Sequence, residues 1–251
     1  MVNINILMDT YSVLWEDLKF LSRHWLRTLV TSLVSPVLFL AAFGWGLGRG
    51  INIEGASYLE FVIPGIIALT AMTSSFNGAG TKLNVDRLFY KSFDECLMSP
   101  ISRFSLIIGK ALIGVVRGLI SSVAFLIIGF IISPTLMINP LFAVALILTC
   151  FVFAFFGVLA ALLAKTHQDM TTFSTLVLLP MTFLGGTFFS LGQLPEALKV
   201  ILYIIPLTHS SQCLRAVTLG QPFPWFSLLA IVGFGLAFFM GCMLVLRRTS
   251  V

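Results

Sequence analysis

Leu7, Tyr11, Leu14, Leu18, Leu21 and Trp25 recur in steps of four and three near the start of the chain. That spacing predicts a helix over 5–27 with one apolar stripe, and it puts Ser12, Glu16, Lys19 and Arg23 on the opposite side. Trp15 and Trp25 suit a membrane–water boundary, so residues 1–27 are expected to form an amphipathic helix in the headgroup plane. Beyond this point the pattern changes from striped to uniformly apolar. Apolar runs cover roughly 28–47, 59–80, 105–133, 140–164, 170–190 and 225–246, each long enough to cross about 30 Å of hydrocarbon as a helix. They lack the period-two alternation of a β-barrel. The expectation is an all-α membrane protein: six transmembrane helices over 28–251, preceded by the interface helix.

The connections are distinctive. Residues 82–104 form the longest polar stretch between spans. Within them Phe89, Phe93, Cys96 and Leu97 keep helical spacing, and Ser99-Pro100 ends the run, which predicts a short amphipathic helix on the membrane surface. Lys165 to Asp169 reads as a tight polar turn. Residues 194–207 are apolar but too short to span, with Pro195 and Pro206 placed to open and close helices. The region 191–220 is therefore expected to hold re-entrant or interfacial half-helices, which need protein rather than lipid around them.

Composition narrows the class. The chain of 251 residues is 58% hydrophobic and 10% charged, against about 25% charged in soluble domains. Mean hydropathy is +1.04, so lipid must solvate most side chains. The net charge of +5 reflects topology rather than nucleic acid, because the basic residues sit in the connections. Lys19, Arg23, Arg27, Lys82, Arg87, Lys91, Arg103, Lys165, Arg247 and Arg248 fall on one side, and Arg49, Lys199 and Arg215 on the other. That bias predicts both termini in the cytoplasm. The four cysteines are scattered without metal-ligand spacing, so neither a metal nor an obligatory disulfide is expected. No signal peptide is expected, since the first 19 residues hold no compact apolar core with a cleavage site.

Few residues carry candidate chemistry. Thr70, Thr73, Ser74, Asn77 and Thr81 make a polar stripe at helical spacing that could line a path. Lys110 and Arg117 are seven residues apart and share a helix face with Gly114, Gly118 and Ser121. Lys110 lies close enough to the cytoplasmic boundary to snorkel. Arg117 sits roughly 18 Å deep at 1.5 Å per residue, which favours the bundle interior, in structure or in meeting an anionic substrate. Gly114 and Gly118 permit close helix approach. His209, Arg215 and Glu196 lack a third partner at recognisable spacing, so catalysis is not expected. The one Gly-Lys pair, Gly109-Lys110, precedes Ala111, which excludes a P-loop. The spans read without a deep carboxylate, as Glu60 and Asp169 lie near span ends. An ion-coupled secondary carrier would need one. A membrane-embedded lipid-modifying enzyme would need acids or histidines clustered at one surface. Energy from a separate partner fits better.

Several stretches resemble ABC-2 type permeases, the membrane subunits of ATP-binding cassette exporters, in the branch of nodulation-factor, daunorubicin-resistance and polysaccharide exporters. They are FVIPGIIALTAM (61–72), DECLMSPISRFSLIIGKAL (94–112), AKTHQDM (164–170), LLPMTFLGGTFFSLGQLPEAL (178–198) and PLTHSSQCLRA (206–216). The resemblance implies an inner-membrane complex of two permease subunits, simplest as a homodimer, with two ATPase subunits. ATP and Mg would bind in the ATPase, and this chain would carry no cofactor. The resemblance also implies that the segment around 86–103 docks on the ATPase, which makes Asp86, Arg87, Lys91, Asp94, Glu95 and Arg103 coupling candidates. Where the family has Arg-x-x-Gly-Thr-x-Glu, this chain has Lys91-Ser92-Phe93-Asp94-Glu95 and no Gly-Thr. The first and fifth spans would line the path. Thr70, Thr73, Ser74, Asn77 and Arg117 are the residues expected along it, with amphipathic or lipid-linked cargo such as a polysaccharide, lipo-oligosaccharide or drug.

Overall fold

The computed structural model describes residues 6–48, 50, 52–53, 55–193 and 195–249. Arg49 and Glu54 of the expected first loop, and Leu194 at the start of the short apolar stretch, lie outside them. Helix α1 (Ile6–Phe39) continues as a π-helical segment, Leu40–Leu47. The interface helix and the first span are thus continuous in the chain but meet at a kink, as two helical segments. Nothing between 27 and 28 breaks a helix, and the change of direction falls at His24 (φ −123°, ψ 15°) instead. Of the apolar stripe, Leu7, Tyr11 and Trp25 are exposed, Leu14 and Leu18 are half-buried and Leu21 turns inward. The face turned into the protein is Val13, Asp17 and Leu21.

A two-residue hairpin, β1 (Asn52–Ile53) with β2 (Ala56–Ser57), turns at Gly55 in the left-handed region (φ 82°). Helix α2 (Tyr58–Phe76) then starts on a capping box: Ser57 Oγ accepts from Glu60 N at 3.3 Å, and Ser57 N donates to Glu60 Oε2 at 2.9 Å. It is the centre of the molecule, with every residue from Phe61 to Met72 buried. Its helix does not stop at residue 80. It runs on through Asn77–Thr81, α3 (Lys82–Val85) and Asp86–Tyr90, and ends where Lys91 turns left-handed (φ 54°). The first part of the polar stretch expected at the membrane surface, residues 82–90, is therefore an extension of the second span.

Helix α4 (Ser92–Met98) is the expected short amphipathic helix, and Ser102 caps α5 (Arg103–Ile132) by accepting from Ser105 N at 3.0 Å. Helix α5 lies tight against α2 because it has glycine at the crossing: a Cβ on Gly114 would stand 2.5 Å from Ser75 O and 2.7 Å from Ala79 Cβ. Helix α6 (Pro140–Leu163) packs against both α2 and α5, and α11 (Trp225–Thr249) packs on α6. Five helical stretches among the described residues are long and apolar enough to cross a membrane: 6–46, 58–90, 103–132, 140–163 and 225–248. The fifth expected span, 170–190, is not one of them. Helix α7 (His167–Phe173), Ser174–Leu178 and α8 (Leu179–Leu184) run on as one helix, but it starts on polar residues and covers roughly 27 Å. The chain then reverses at Gly185-Gly186, with Gly186 at φ 67°. Two short helices follow, α9 (Glu196–Tyr203) and α10 (Pro206–Thr218); α10 is buried among α2, α6 and α11.

Candidate functional site

Two features set this molecule apart from a plain apolar bundle, and both lie around the extension of α2. The first is a buried ion cluster. Lys110 Nζ on α5 lies 3.1 Å from Asp17 Oδ2 on α1 and 2.9 Å from Asp86 Oδ2. Lys82 closes the group, pairing with Asp86 one helical turn away and with Asp17 Oδ1 at 3.4 Å. The two carboxylates are at most 1% exposed and Lys110 4%, while Lys82 is 21% exposed. Two positive and two negative charges therefore cancel where water cannot. Lys110 does not snorkel: Gly109 beside it lets Val13 of α1 pack against the backbone, which brings Asp17 within reach. The pairing joins α1, the α2 extension and α5 at one end of the bundle. The expected spans 28–47 and 59–80 hold neither carboxylate; the buried Asp17 and Asp86 lie beyond their ends. Asp17 and Asp86 were both in segments read as surface, and both are interior.

This geometry separates the coupling candidates into two sets. Asp86 points inward and is spent on the cluster. Arg87 is also engaged inside the molecule: its Nη1 donates to the carbonyls of Ala161 and Leu162, both at 2.8 Å, and of Ala164 at 3.1 Å. It caps the end of α6, where unpaired carbonyls and the helix dipole favour a cation. Lys91, Asp94, Glu95 and Arg103 are exposed. Beside them Phe89, Tyr90 and Met98 are 68%, 72% and 89% exposed. Burial raises the Cys96 thiol above its ordinary range, so it stays protonated on the inner side of α4. His167, exposed in the polar turn, hydrogen-bonds the buried Asn84 at 2.9 Å. In the same turn, the backbone amides of Lys165 and Thr166 hold the Asp169 carboxyl below its usual range.

The second feature is a polar cleft of about 390 Å³ between α1, α2, α5 and α8. Thr73, Ser74, Asn77 and Arg117 all line it, together with a ladder of hydroxyls on α1: Thr28, Thr31, Ser32 and Ser35. Thr70 does not. It is fully buried and donates to Ile66 O at 2.7 Å, an internal helix bond. Four of the five path candidates therefore share one cavity. Asn77 and Arg117 also line a second cavity of about 450 Å³, with Phe20, Lys82 and Tyr90, toward the end that carries the ion cluster.

Arg215 is a residue whose weight the chain alone did not reveal. Although expected in an outer loop, it is buried on α10. Its Nε donates to Phe61 O at 3.2 Å and its Nη2 to Gly186 O at 2.9 Å, and its guanidinium lies 3.7 Å over the Phe61 ring. It pins the reversal at Gly185-Gly186 to the central helix. His209 Nε2 meets the Tyr203 carbonyl at 2.9 Å, a structural bond between α9 and α10.

Five apolar helices of bilayer length make the chain a multi-pass membrane protein. Comparison with known proteins gives its family. The ABC-2 type transporter family matches residues 8–219, a stretch that holds the ion cluster, the cleft and Arg215. The chain is similar to the inner membrane transport permease YadH of Escherichia coli (strain K12), at 28% identity over 241 residues and 94% of each chain. It is also similar to nodulation protein J of Rhizobium meliloti (strain 1021), at 26% identity over 199 residues, covering 78% of this chain and 76% of the relative. Nodulation protein J of Rhizobium leguminosarum bv. viciae is 28% identical over 204 residues. This chain belongs to the ABC-2 type transporter permease family. It is a non-catalytic transmembrane subunit, and the family implies an ATPase subunit as its partner.

Proposed function

We propose that this chain is the permease of an ATP-driven exporter of the inner membrane, built from two copies of it and two ATPase subunits. ATP and Mg act in the ATPase. The basic end of the bundle faces the cytoplasm with both termini, as the charge bias expects. Residues 170–190 make the fifth of six crossings, and α9 and α10 are re-entrant. Residues 1–27 act as the interface helix and 28–251 as the transport domain, with 82–104 as its coupling segment.

One observation carries the reading most directly. The segment from Phe89 to Arg103 exposes aromatic and charged side chains outward, while Asp86, a few residues before, is ion-paired to α1 and α5. A push on such a surface moves the spans, because the buried ion pairs resist sliding. Lys91, Asp94, Glu95 and Arg103 receive the ATPase; Asp86 and Arg87 hold the surface from within. Thr73, Ser74, Asn77 and Arg117 line the path of an amphipathic or lipid-linked cargo, between the first and fifth crossings. The likeness to an inner membrane transport permease supports transport as the activity.

The test is affinity purification of the permease in mild detergent. A P-loop ATPase should co-purify in roughly equal amount, and Lys91→Glu should weaken that association without lowering thermal stability. Recovery of the permease alone, under conditions that keep other membrane complexes intact, would refute the reading.

A further inference from the structure

Arg117 is the residue the fold leaves least explained. It lies in the middle of α5, a membrane-length helix, and among the described residues no hydrogen bond or ion pair engages its guanidinium. Isolated cations at that depth are costly, and they occur where water or an anion can meet them. Its neighbours have the same bias. Ser74 is 8% exposed, lines the cleft, and its Oγ has no hydrogen-bond partner. Asn77 lines both cavities beside Arg117. Among the described residues no Asp or Glu lines either cavity. The buried carboxylates Asp17 and Asp86 are already held by Lys82 and Lys110. Thr31, Ser32, Thr73 and Thr182 already donate to carbonyls of their own helices, so the donors turned to the two cavities are those of Arg117, Ser74 and Asn77, a run with positive charge at its centre. It begins beside Lys82 and Tyr90, and it continues along a wall of hydroxyls at the depth of Thr182. Apolar Phe39, Leu69 and Leu179 line the cleft as well.

We propose that this cleft binds the oxyanion head group of an amphiphile, with Arg117 as its counter-charge and Ser74 and Asn77 as neutral donors. The proposal rests on the export reading for its role, as a seat for cargo, but not for the binding itself. A planar guanidinium offers paired N–H groups to two oxygens at once, which suits phosphate and carboxylate alike. The hydroxyl wall can follow a polar head while the tail stays in lipid. A neutral head would leave the guanidinium unpaired and gain little.

The test uses purified permease in a neutral detergent and three probes with short chains: a phosphatidate, the diacylglycerol of the same tails, and a fatty acid. Binding is read by native mass spectrometry. Phosphatidate should bind well above diacylglycerol. Arg117→Gln should weaken it roughly tenfold or more, as loss of one partner of a desolvated charge pair does. Arg117→Lys should fall between, and Ser74→Ala should cost less. Arg117-dependent binding of the fatty acid alone would keep the oxyanion site and assign carboxylate as its chemistry. Measurable phosphatidate binding that is equal in wild type and Arg117→Gln, or equal to that of diacylglycerol in the wild type, would overturn the proposal, as would no Arg117-dependent binding of either anionic probe. If Arg117→Gln does not fold, Arg117→Lys and Asn77→Ala carry the same comparison. Co-purification of the ATPase with each variant separates the two readings. Losing the ATPase while Arg117-dependent binding persists removes the exporter and leaves the site; the converse removes only the site.

Discussion

Removing Lys110 is the sharpest perturbation of this fold. Its Nζ lies between Asp17 and Asp86, at 3.1 and 2.9 Å. Lys110→Met keeps the length and apolar stem but leaves two buried carboxylates sharing Lys82, which is itself 21% exposed. Breaking one partner of a buried ion pair costs about 3–5 kcal/mol, because the remaining charge stays desolvated. For a domain of this size, that corresponds to a fall in melting temperature of roughly 6–20 °C. The measurement is thermal unfolding of purified permease in detergent, followed by the loss of the monodisperse peak. The control is the double variant Lys110→Met with Asp17→Leu, which removes one charge of each sign and leaves the Lys82–Asp86 pair. Exchanging a buried pair for apolar residues is often close to neutral, so most of the stability should return. A Lys110→Met melting point within about 2 °C of wild type, or a double variant no better than the single one, would refute the claim that the cluster is desolvated. The double variant should also fold yet transport poorly with its ATPase, since α1 would no longer be tied to the coupling segment.

Three further outcomes are expected. Arg87→Gln should lose about 1.5–3 kcal/mol of stability, as expected for charge-assisted bonds to the end of α6, whereas Lys91→Glu should leave melting unchanged and reduce ATPase retention; both are read on the same preparations. Arg215→Lys should destabilise and loosen the reversal at Gly185-Gly186, because an ammonium cannot reproduce the fork that meets Phe61 O and Gly186 O; protease cleavage around 185–195 should rise. Asp169, held low by the amides of Lys165 and Thr166, has a folded pKa below its unfolded one. Its contribution is present above about pH 4, the unfolded value, and fades as pH falls through the folded value. Asp169→Asn should remove that acid limb from the curve of melting temperature against pH.

The membrane class, the long apolar crossings and the short helix at 92–98 were legible from residue order alone. Each depends on local chemistry: hydrophobic length, or proline and serine punctuation. The helical spacing of Thr73, Ser74 and Asn77 likewise identified the polar face of α2. What the order of residues left undetermined are the pairings across distance. Asp17 lies 93 positions from Lys110, and nothing near either marks the other as a partner. Asp86 and Arg87 look like loop charges until the helix is seen to run on to Tyr90. One then turns toward α5 and the other toward the end of α6. Thr70 and Thr73 belong to one stripe, yet only Thr73 reaches the cleft, because neighbouring helices cover the face that Thr70 occupies. In lipid a helix satisfies its own backbone, so sequence decides where helices form. Which faces meet is decided by glycine contacts such as those at Gly109 and Gly114, and by the need of each buried charge to find its opposite.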